Sequence, residues 1–214
     1  MQHEETSAAG DAIPLASTAP AVRKRPKPGE RRVQILQALA AMLEQPGAER
    51  VTTAALAARL EVSEAALYRH FASKAQMFEG LIDFIEQSVF SLVNQITERE
   101  APGREQAARI IAMLVQFAEK NPGMTRVMVG DALVHENERL QSRMNQFFDK
   151  IESTLRQALR GAAAGEGSAT PTVDAQVRAS TLTAFLVGRL QRYARSGFRR
   201  APSEHLEASV ALML

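Results

Sequence analysis

The sequence of 214 residues contains no cysteine and no tryptophan, and only 5% of its residues are aromatic. Without cysteine, the chain has no disulfide bonds, no thiol chemistry and no cysteine-ligated metal. The four histidines, His3, His70, His135 and His205, are too scattered to have the spacing of metal ligands. We therefore expect no metal ion and no other cofactor.

Long apolar segments and catalytic motifs are also missing. No run of about 18 apolar residues is present, so no membrane span is expected. The N-terminal segment has no apolar stretch followed by a small-residue cleavage site, which favours a cytoplasmic protein over a secreted one. The chain lacks a phosphate-binding loop, an HExxH motif and a Ser/His/Asp grouping, and this argues against an enzyme.

Charge of one sign does not dominate, because the net charge is only +2. Any affinity for nucleic acid must therefore come from local clusters. One cluster, Arg23-Lys-Arg-Pro-Lys27, ends a tail (residues 1–28) that lacks periodicity and that we expect to be disordered. Such a basic arm either contacts phosphates and a minor groove or only keeps the protein soluble.

Helical periodicity is what the chain does contain, with no strand pattern and no internal repeat. The expected fold class is all-α, with about nine helices: a three-helix N-terminal head containing a helix-turn-helix (residues 29–74) and a C-terminal helical region for dimerisation and partner binding (residues 75–214). Gly161–Pro171 is rich in glycine, alanine and serine and is expected to be a flexible loop. The expected helices are about 30–45, two short helices within 52–71, 74–99, 104–120, 124–135, 138–160, 173–197 and 203–214.

The stretch from Thr52 to Lys74 has the pattern of a helix-turn-helix. Thr52 or Thr53 can cap the first short helix and Ser63 the second, because a hydroxyl accepts an otherwise unpaired backbone N–H. A short second helix with small and polar outer residues fits a DNA major groove. The same hairpin also occurs in helical domains that bind no DNA. Glu61 stands in the turn, where glycine is common, and a positive φ there would cost on the order of 1 kcal/mol.

A second surface, which we call the partner face, is predicted on helices 4 and 5. At about 100° per residue, Phe84 lies off the apolar stripe of helix 4, with Ser88 on the same flank. Met113, Gln116 and Lys120 share a flank of helix 5 that points away from its inward face. These residues either pack against a later helix or line a groove that accepts a peptide.

Helix 8 and the last helix are candidates for a subunit interface. Helix 8 carries Leu182, Leu186 and Leu190 beside several arginines. Two such helices from each of two subunits can form a four-helix interface, and packing within one chain is the alternative. Dimerisation is favoured because one short recognition helix reads few base pairs.

Two sets of residues carry a family resemblance. Thr52-Thr-x-x-Leu-Ala, followed by Val62-Ser-x-x-x-Leu-Tyr-x-His-Phe-x-Ser-Lys74, resembles the head of the TetR-type regulators. The C-terminal region then resembles one branch of that family, the nucleoid occlusion factors. This second resemblance rests on Leu81-Ile-Asp-Phe-Ile-Glu, Asn121-Pro-Gly-Met-Thr-Arg and Arg139-Leu-Gln-Ser-Arg-Met-Asn-Gln-Phe-Phe.

The resemblance implies a homodimer that binds palindromic sites on double-stranded DNA and associates with the nucleoid. It further implies that helices 4 and 5 hold the C-terminal tail of FtsZ, the tubulin-like division protein, and so block septum assembly over the nucleoid. The alternative is a ligand-responsive TetR-type transcriptional repressor. Such a repressor would contain a closed apolar cavity in its C-terminal region.

The resemblance also assigns a DNA-facing surface. The groove-facing positions are Ser63, Glu64, Ala65, Ala66 and Arg69; Tyr68 and His70 flank the groove; Thr52, Thr53 and Lys74 are expected to hold phosphates. Arg69 would bind either a guanine edge or a phosphate. For the threonines, helix capping is the alternative, and for His70 it is packing in the core. Lys74 begins helix 4, where the helix dipole disfavours a cation, and a nearby phosphate would account for it.

Overall fold

The computed structural model describes residues 29–45 and 51–214, so the N-terminal tail and its basic cluster lie outside the described residues. Within these ranges the chain is all-helical with no strand, which confirms the expected fold class. The α-helices are α1 (Glu30–Leu43), α2 (Thr53–Arg59), α3 (Glu64–Tyr68), α4 (Lys74–Arg99), α5 (Arg104–Lys120), α6 (Pro122–Met128), α7 (Glu138–Gly165), α8 (Pro171–Arg195) and α9 (Leu206–Met213). A short 3₁₀ helix, Asp131–Leu133, connects α6 to α7.

Helices α1 to α3 form a small head around one apolar centre. Ile35 and Leu39 from α1, Leu56 from α2, Leu67 from α3 and the following Phe71 are each no more than 1% exposed. The hydrophobic effect on these side chains holds together α2 and α3, which are too short to be stable alone.

Helix α4 connects the head to the rest of the molecule. Its 26 residues span about 39 Å. One face is buried from Phe78 through Ile85 to Val93, because apolar residues recur at helical spacing. Since α4 packs against α1 in the head and against α5 and α7 beyond it, one rigid element runs through both regions.

A second contact between head and C-terminal region lies where α1 crosses α6. An added Cβ at Gly123 would lie 2.0 Å from the carbonyl oxygen of Ala40, so only glycine permits this approach. The end of α8 reaches the same junction. Burial, followed by the nearby carboxylates of Glu119 and Glu44, raises the pKa of Tyr193 above its ordinary value.

The C-terminal region is built on the long antiparallel pair α7 and α8, with α5 packed against both. Ile110, Leu155 and Leu186 are fully buried where these helices meet. Among the described helices, none combines the length and apolar character that a membrane crossing requires. In the same ranges, histidine and acidic side chains nowhere form a group of three that could hold a metal ion.

Several helix boundaries differ from those expected. The sixth helix is short and ends at Met128, because Gly130 adopts φ +80 and turns the chain into the 3₁₀ helix. Helix α7 continues to Gly165, so the flexible loop expected over Gly161–Pro171 is wrong in its first half. Alanine favours helix there, and Ala163 is buried at 1% exposure.

Candidate nucleic-acid interface and partner face

Hydroxyl groups start three successive helices around the helix-turn-helix. The Thr52 side chain accepts from the Ala55 N–H at 3.2 Å, Ser63 accepts from Ala66 at 3.3 Å, and Ser73 accepts from Gln76 at 3.2 Å. Each bond satisfies an amide that the helix itself leaves unpaired. The caps predicted for the two short helices are confirmed, with Thr52 rather than Thr53 capping α2, and Ser73 caps α4 in the same way.

The turn between α2 and α3 is closed by backbone bonds from Glu61 N–H to Ala58 O (3.1 Å) and from Val62 N–H to Ala57 O (3.0 Å). Glu61 adopts φ +53, the left-handed conformation that glycine adopts without strain. Glu61 therefore has the positive φ considered above, and this conformation costs on the order of 1 kcal/mol of stability.

The outer side of α3 presents the residues assigned to the DNA groove. Ser63, Glu64, Ala65 and Arg69 are exposed, whereas Ala66 is half-buried. Tyr68 remains 43% exposed although it is aromatic. These side chains share one surface because Leu67 and Phe71 turn the opposite side of the segment into the head.

A small hydrogen-bond network crosses this surface. The Thr53 hydroxyl donates to Glu64 at 2.6 Å, and the Tyr68 hydroxyl donates to Thr53 at 3.4 Å. The network holds the start of α2 against the start of α3. A phosphate that binds Thr53 must therefore replace a bond to a carboxylate.

His70 is half-buried, between the two alternatives that the sequence left open. Its carbonyl oxygen accepts a bond of 2.5 Å from the guanidinium of Arg32, which also lies 4.1 Å from the ring centre of Phe71. Arg32 thus fixes the beginning of α1 against the end of the recognition helix. Sequence periodicity gave no indication of this contact, which spans 38 residues.

Lys74 has a partner inside the protein. Its ammonium group forms a partly buried ion pair with Glu136, which lies in the connection before α7. The side chain of Lys74 is 28% exposed and that of Glu136 is 11% exposed. The pair accounts for a lysine at the start of α4 without a bound phosphate, and it joins the head to the C-terminal region.

The partner face has a different character. Phe84 is 45% exposed, Gln116 and Lys120 are exposed, and Ser88 is half-buried. Met113 packs partly against the core and is less available than its helical position indicated. The connection at residues 100–103 is short, so α4 and α5 run antiparallel and Phe84 and Lys120 lie about equally far from it.

Leu92 is an additional residue of this face that sequence reasoning missed. Apolar periodicity places it in the buried stripe of α4, yet it is 37% exposed. On a helical wheel it lies about 80° from Phe84, between the directions of the fully buried Leu81 and Ile85. Its exposure therefore comes from the packing of the neighbouring helices, and no local signal in the sequence indicates it.

Ion pairs between α7 and α4 hold α4 in place close to Phe84. Arg143 of α7 donates to Glu86 at 2.7 and 3.2 Å and to Asp83 at 2.5 Å. These bonds, the one to Glu86 first, outweigh burial and raise the pKa of the Arg143 guanidinium above its ordinary value. Phe84 is thus presented from a helix whose rotation is fixed.

The predicted dimer face of α8 requires a correction. Leu182, Leu186 and Leu190 are 0% exposed, because they pack inside the protomer. The exposed stripe lies on another side of α8 and begins with Val173 and Val177, each 59% exposed.

Comparison with known proteins extends over both regions. Residues 35–81 match the family model of the bacterial regulatory proteins of the tetR family, and residues 105–214 match the SlmA-like model described as tetracyclin repressor-like, C-terminal domain. The nucleoid occlusion factor SlmA of Vibrio vulnificus strain YJ016 is 50% identical over 188 residues, covering 87% of this chain and 95% of the relative. The chain belongs to the SlmA family of nucleoid occlusion factors.

Other SlmA relatives are equally similar. That of Aliivibrio fischeri strain MJ11 is 50% identical over 189 residues, covering 88% of this chain and 96% of the relative. Among solved structures, the fatty acid degradation regulator FadR of Bacillus halodurans matches with a TM-score of 0.71 at 13% identity, over 88% of this chain and 97% of that one. At that identity it supports the TetR-type fold alone.

Proposed function

We propose that this SlmA-family chain is a DNA-associated inhibitor of cell division that acts in the cytoplasm at the nucleoid. The proposal rests mainly on the position of α4 between two exposed surfaces. This helix begins at the DNA-facing surface with Lys74 and presents the exposed Phe84 less than three turns later. A single rigid element therefore connects a candidate DNA site to a candidate protein site.

The DNA-binding part of the proposal rests on the exposed side of α3. Arg69 supplies the planar donor group that suits a guanine edge or a phosphate, and small residues such as Ala65 allow close approach to the bases. Thr52, Thr53 and Lys74 would position the head on the phosphates. We assign DNA binding to residues 29–74, with the tail of residues 1–28 preceding them.

The protein-binding part rests on the partner face. Phe84 and Leu92 offer apolar surface for burial, and Lys120 offers a positive charge at the far end of α5. An exposed aromatic residue beside half-buried neighbours is typical of the anchor position of a peptide groove. We propose the C-terminal tail of FtsZ as the occupant.

A homodimer would give the complex its two recognition helices. Val173, Val177 and Thr181 form an exposed stripe on α8, and Leu212 of α9 is 90% exposed. Apolar side chains at that exposure are typical of a subunit interface. We assign dimerisation, together with partner binding, to residues 75–214.

The packed interior favours this function over a ligand-responsive repressor. Ile111, Leu114 and Leu159 are 0% exposed and contribute to a filled core in the C-terminal region. A recess of about 790 Å³ lies between α5 and α9, but it is an open groove at the surface. A repressor of that kind would instead enclose its ligand.

The decisive experiment titrates a fluorescent peptide of the FtsZ C-terminal tail into the full chain, with and without a duplex selected from genomic fragments for binding. We expect saturable peptide binding that is stronger in the presence of the duplex. Variants Phe84→Ala and Arg69→Ala should separate the two activities. Absence of peptide binding in both conditions would refute the division-inhibitor proposal.

A further inference from the structure

The end of α8 and the connection to α9 form the most strongly basic segment among the described residues. Between residues 175 and 203 the sequence contains no acidic residue, but it has arginines at positions 178, 189, 192, 195, 199 and 200. The whole chain carries a net charge of only +2, so this segment concentrates positive charge locally. Neither the DNA-facing surface nor the partner face includes any of these arginines.

Three of them line one recess. Arg189, Arg192 and Arg200 surround a volume of about 260 Å³, together with Ala201, Pro202, Glu204 and His205. Arg189 is fixed there by bonds to the carbonyl oxygens of Pro202 (3.0 Å) and Glu204 (2.5 Å) and to the Ser209 hydroxyl (3.0 Å). One wall of the recess is therefore rigid before any ligand binds.

The connection that carries Ala201 and Pro202 is fixed as well. The backbone N–H of Ser203 donates to the carboxylate of Glu119 at 3.1 Å, and the Tyr193 hydroxyl donates to the Glu119 carbonyl at 3.4 Å. The connection to α9 is thereby held on the last turn of α5. A preformed recess loses little conformational entropy on binding.

Two of the three guanidinium groups have donors to spare. The side chains of Arg192 and Arg200 form no hydrogen bond and no ion pair with any other described residue, and in Arg200 only the backbone N–H donates, to the Ser196 hydroxyl. The one carboxylate in the lining, that of Glu204, lies 4.0 Å from His205. Three guanidinium groups thus share the recess with one carboxylate, which leaves it with a net positive charge that favours an anion.

The helix dipole does not account for the cluster. It favours a cation in the last turn of α8 and so explains Arg192. Arg200 lies five residues beyond the end of that helix, and the guanidinium of Arg189 already donates to the connection to α9. The arrangement instead matches a compact oxyanion, because a guanidinium binds phosphate oxygens in pairs.

We propose that this recess is a phosphate-binding site. Its volume is below the range of about 300–1,000 Å³ that is typical of sites for drug-sized ligands, so it fits a phosphate or diphosphate group and not a whole nucleotide. Arg192 and Arg200 bind the oxygens, and Arg189 supplies the fixed positive wall. The group belongs either to a free phosphate compound or to the backbone of bound DNA.

Isothermal titration of the full chain with inorganic pyrophosphate, at constant ionic strength set with sodium chloride, tests the site. We expect one site per protomer, and Arg192→Ala and Arg200→Ala should each weaken binding about tenfold or more. Arg160→Ala removes an exposed arginine at the opposite end of the α7–α8 pair and should leave binding unchanged. Equal affinities in all four proteins, or no binding by the unaltered chain, would overturn the proposal.

A competition experiment with a DNA duplex identifies the source of the phosphate. If the group belongs to DNA, pyrophosphate competes with a duplex, and Arg200→Ala lowers the slope of log affinity against log salt by about one. If the group belongs to a free compound, duplex affinity is the same with and without saturating pyrophosphate. Either result supports a phosphate-binding site in the recess. Capture of a glutamate-rich peptide through Arg192 and Arg200 without pyrophosphate binding would contradict it.

Discussion

The DNA-facing surface and the partner face differ in whether their side chains already have partners. At the DNA-facing surface, Thr52 caps a helix, Thr53 donates to Glu64 and Lys74 pairs with Glu136. At the partner face, Phe84 and Leu92 expose apolar surface to water. Under the proposed function, DNA exchanges existing polar bonds at its site, whereas a protein partner gains mainly by burying exposed apolar surface.

The largest expected effect is on DNA binding by Arg69→Ala. A good arginine contact to a base is worth about 1–3 kcal/mol, and a dimer loses two of them, so affinity should fall about 100-fold. Fluorescence anisotropy with a selected duplex at fixed salt measures the change, and Arg160→Ala is the matched control. The peptide affinity measured without DNA should not change. An unaltered duplex affinity would remove Arg69 from the interface.

Phe84→Ala should have the opposite effect and weaken the binding of the peptide without weakening that of DNA. Loss of a buried aromatic anchor costs about 2 kcal/mol, or roughly a 30-fold weaker peptide complex. DNA affinity should remain that of the unaltered chain. Gln87→Ala, an exposed position on the same helix, is the control in a peptide titration. Equal losses in both variants would show that the groove lies elsewhere on α4.

Glu136→Gln tests the exchange of partners at the start of α4. With the carboxylate gone, Lys74 no longer leaves an ion pair to reach a phosphate, so DNA should bind about threefold more tightly. Lys74→Gln should weaken DNA binding, and the double variant should resemble Lys74→Gln alone. Tighter binding in the double variant as well would mean that Glu136 acts by simple repulsion of DNA.

In the turn of the head, an effect on stability alone is expected. Glu61→Gly and Glu61→Ala both remove the side chain beyond Cβ, but only glycine removes the strain of φ +53. The glycine variant should therefore be about 1 kcal/mol more stable than the alanine variant and melt about 2–4 °C higher. Thermal unfolding followed by circular dichroism compares the two. A rise in Tm with alanine but not with glycine would show that backbone strain is not the cause.

Local signals in the sequence predicted the fold well. Helix α4 runs from Lys74 to Arg99 and α5 from Arg104 to Lys120, as their periodicity and flanking residues indicated. The caps at Thr52, Ser63 and Ser73 also follow from short-range chemistry. Each of these features depends on residues within a few positions of one another.

Contacts between distant residues were not predictable in the same way. The partner of Lys74 lies 62 residues away, and nothing near Lys74 in the sequence indicates Glu136. On α8, periodicity found an apolar face but not which neighbour covers it, and that face proved to be internal. Periodicity likewise places Leu92 in the core, because its angle falls within the buried stripe, and only the packing of the neighbouring helices leaves it exposed.

The contact between Gly123 and Ala40 has a consequence for the spacing of DNA half-sites. The head rests on α6 at a point where a methyl group would meet a carbonyl oxygen at 2.0 Å, so the C-terminal region sets the angle at which the head is held. In a dimer, that angle determines how far apart the two recognition helices lie. We therefore expect the length of operator that the protein can span to depend on α6 as well as on α4, outside the residues proposed to face the DNA.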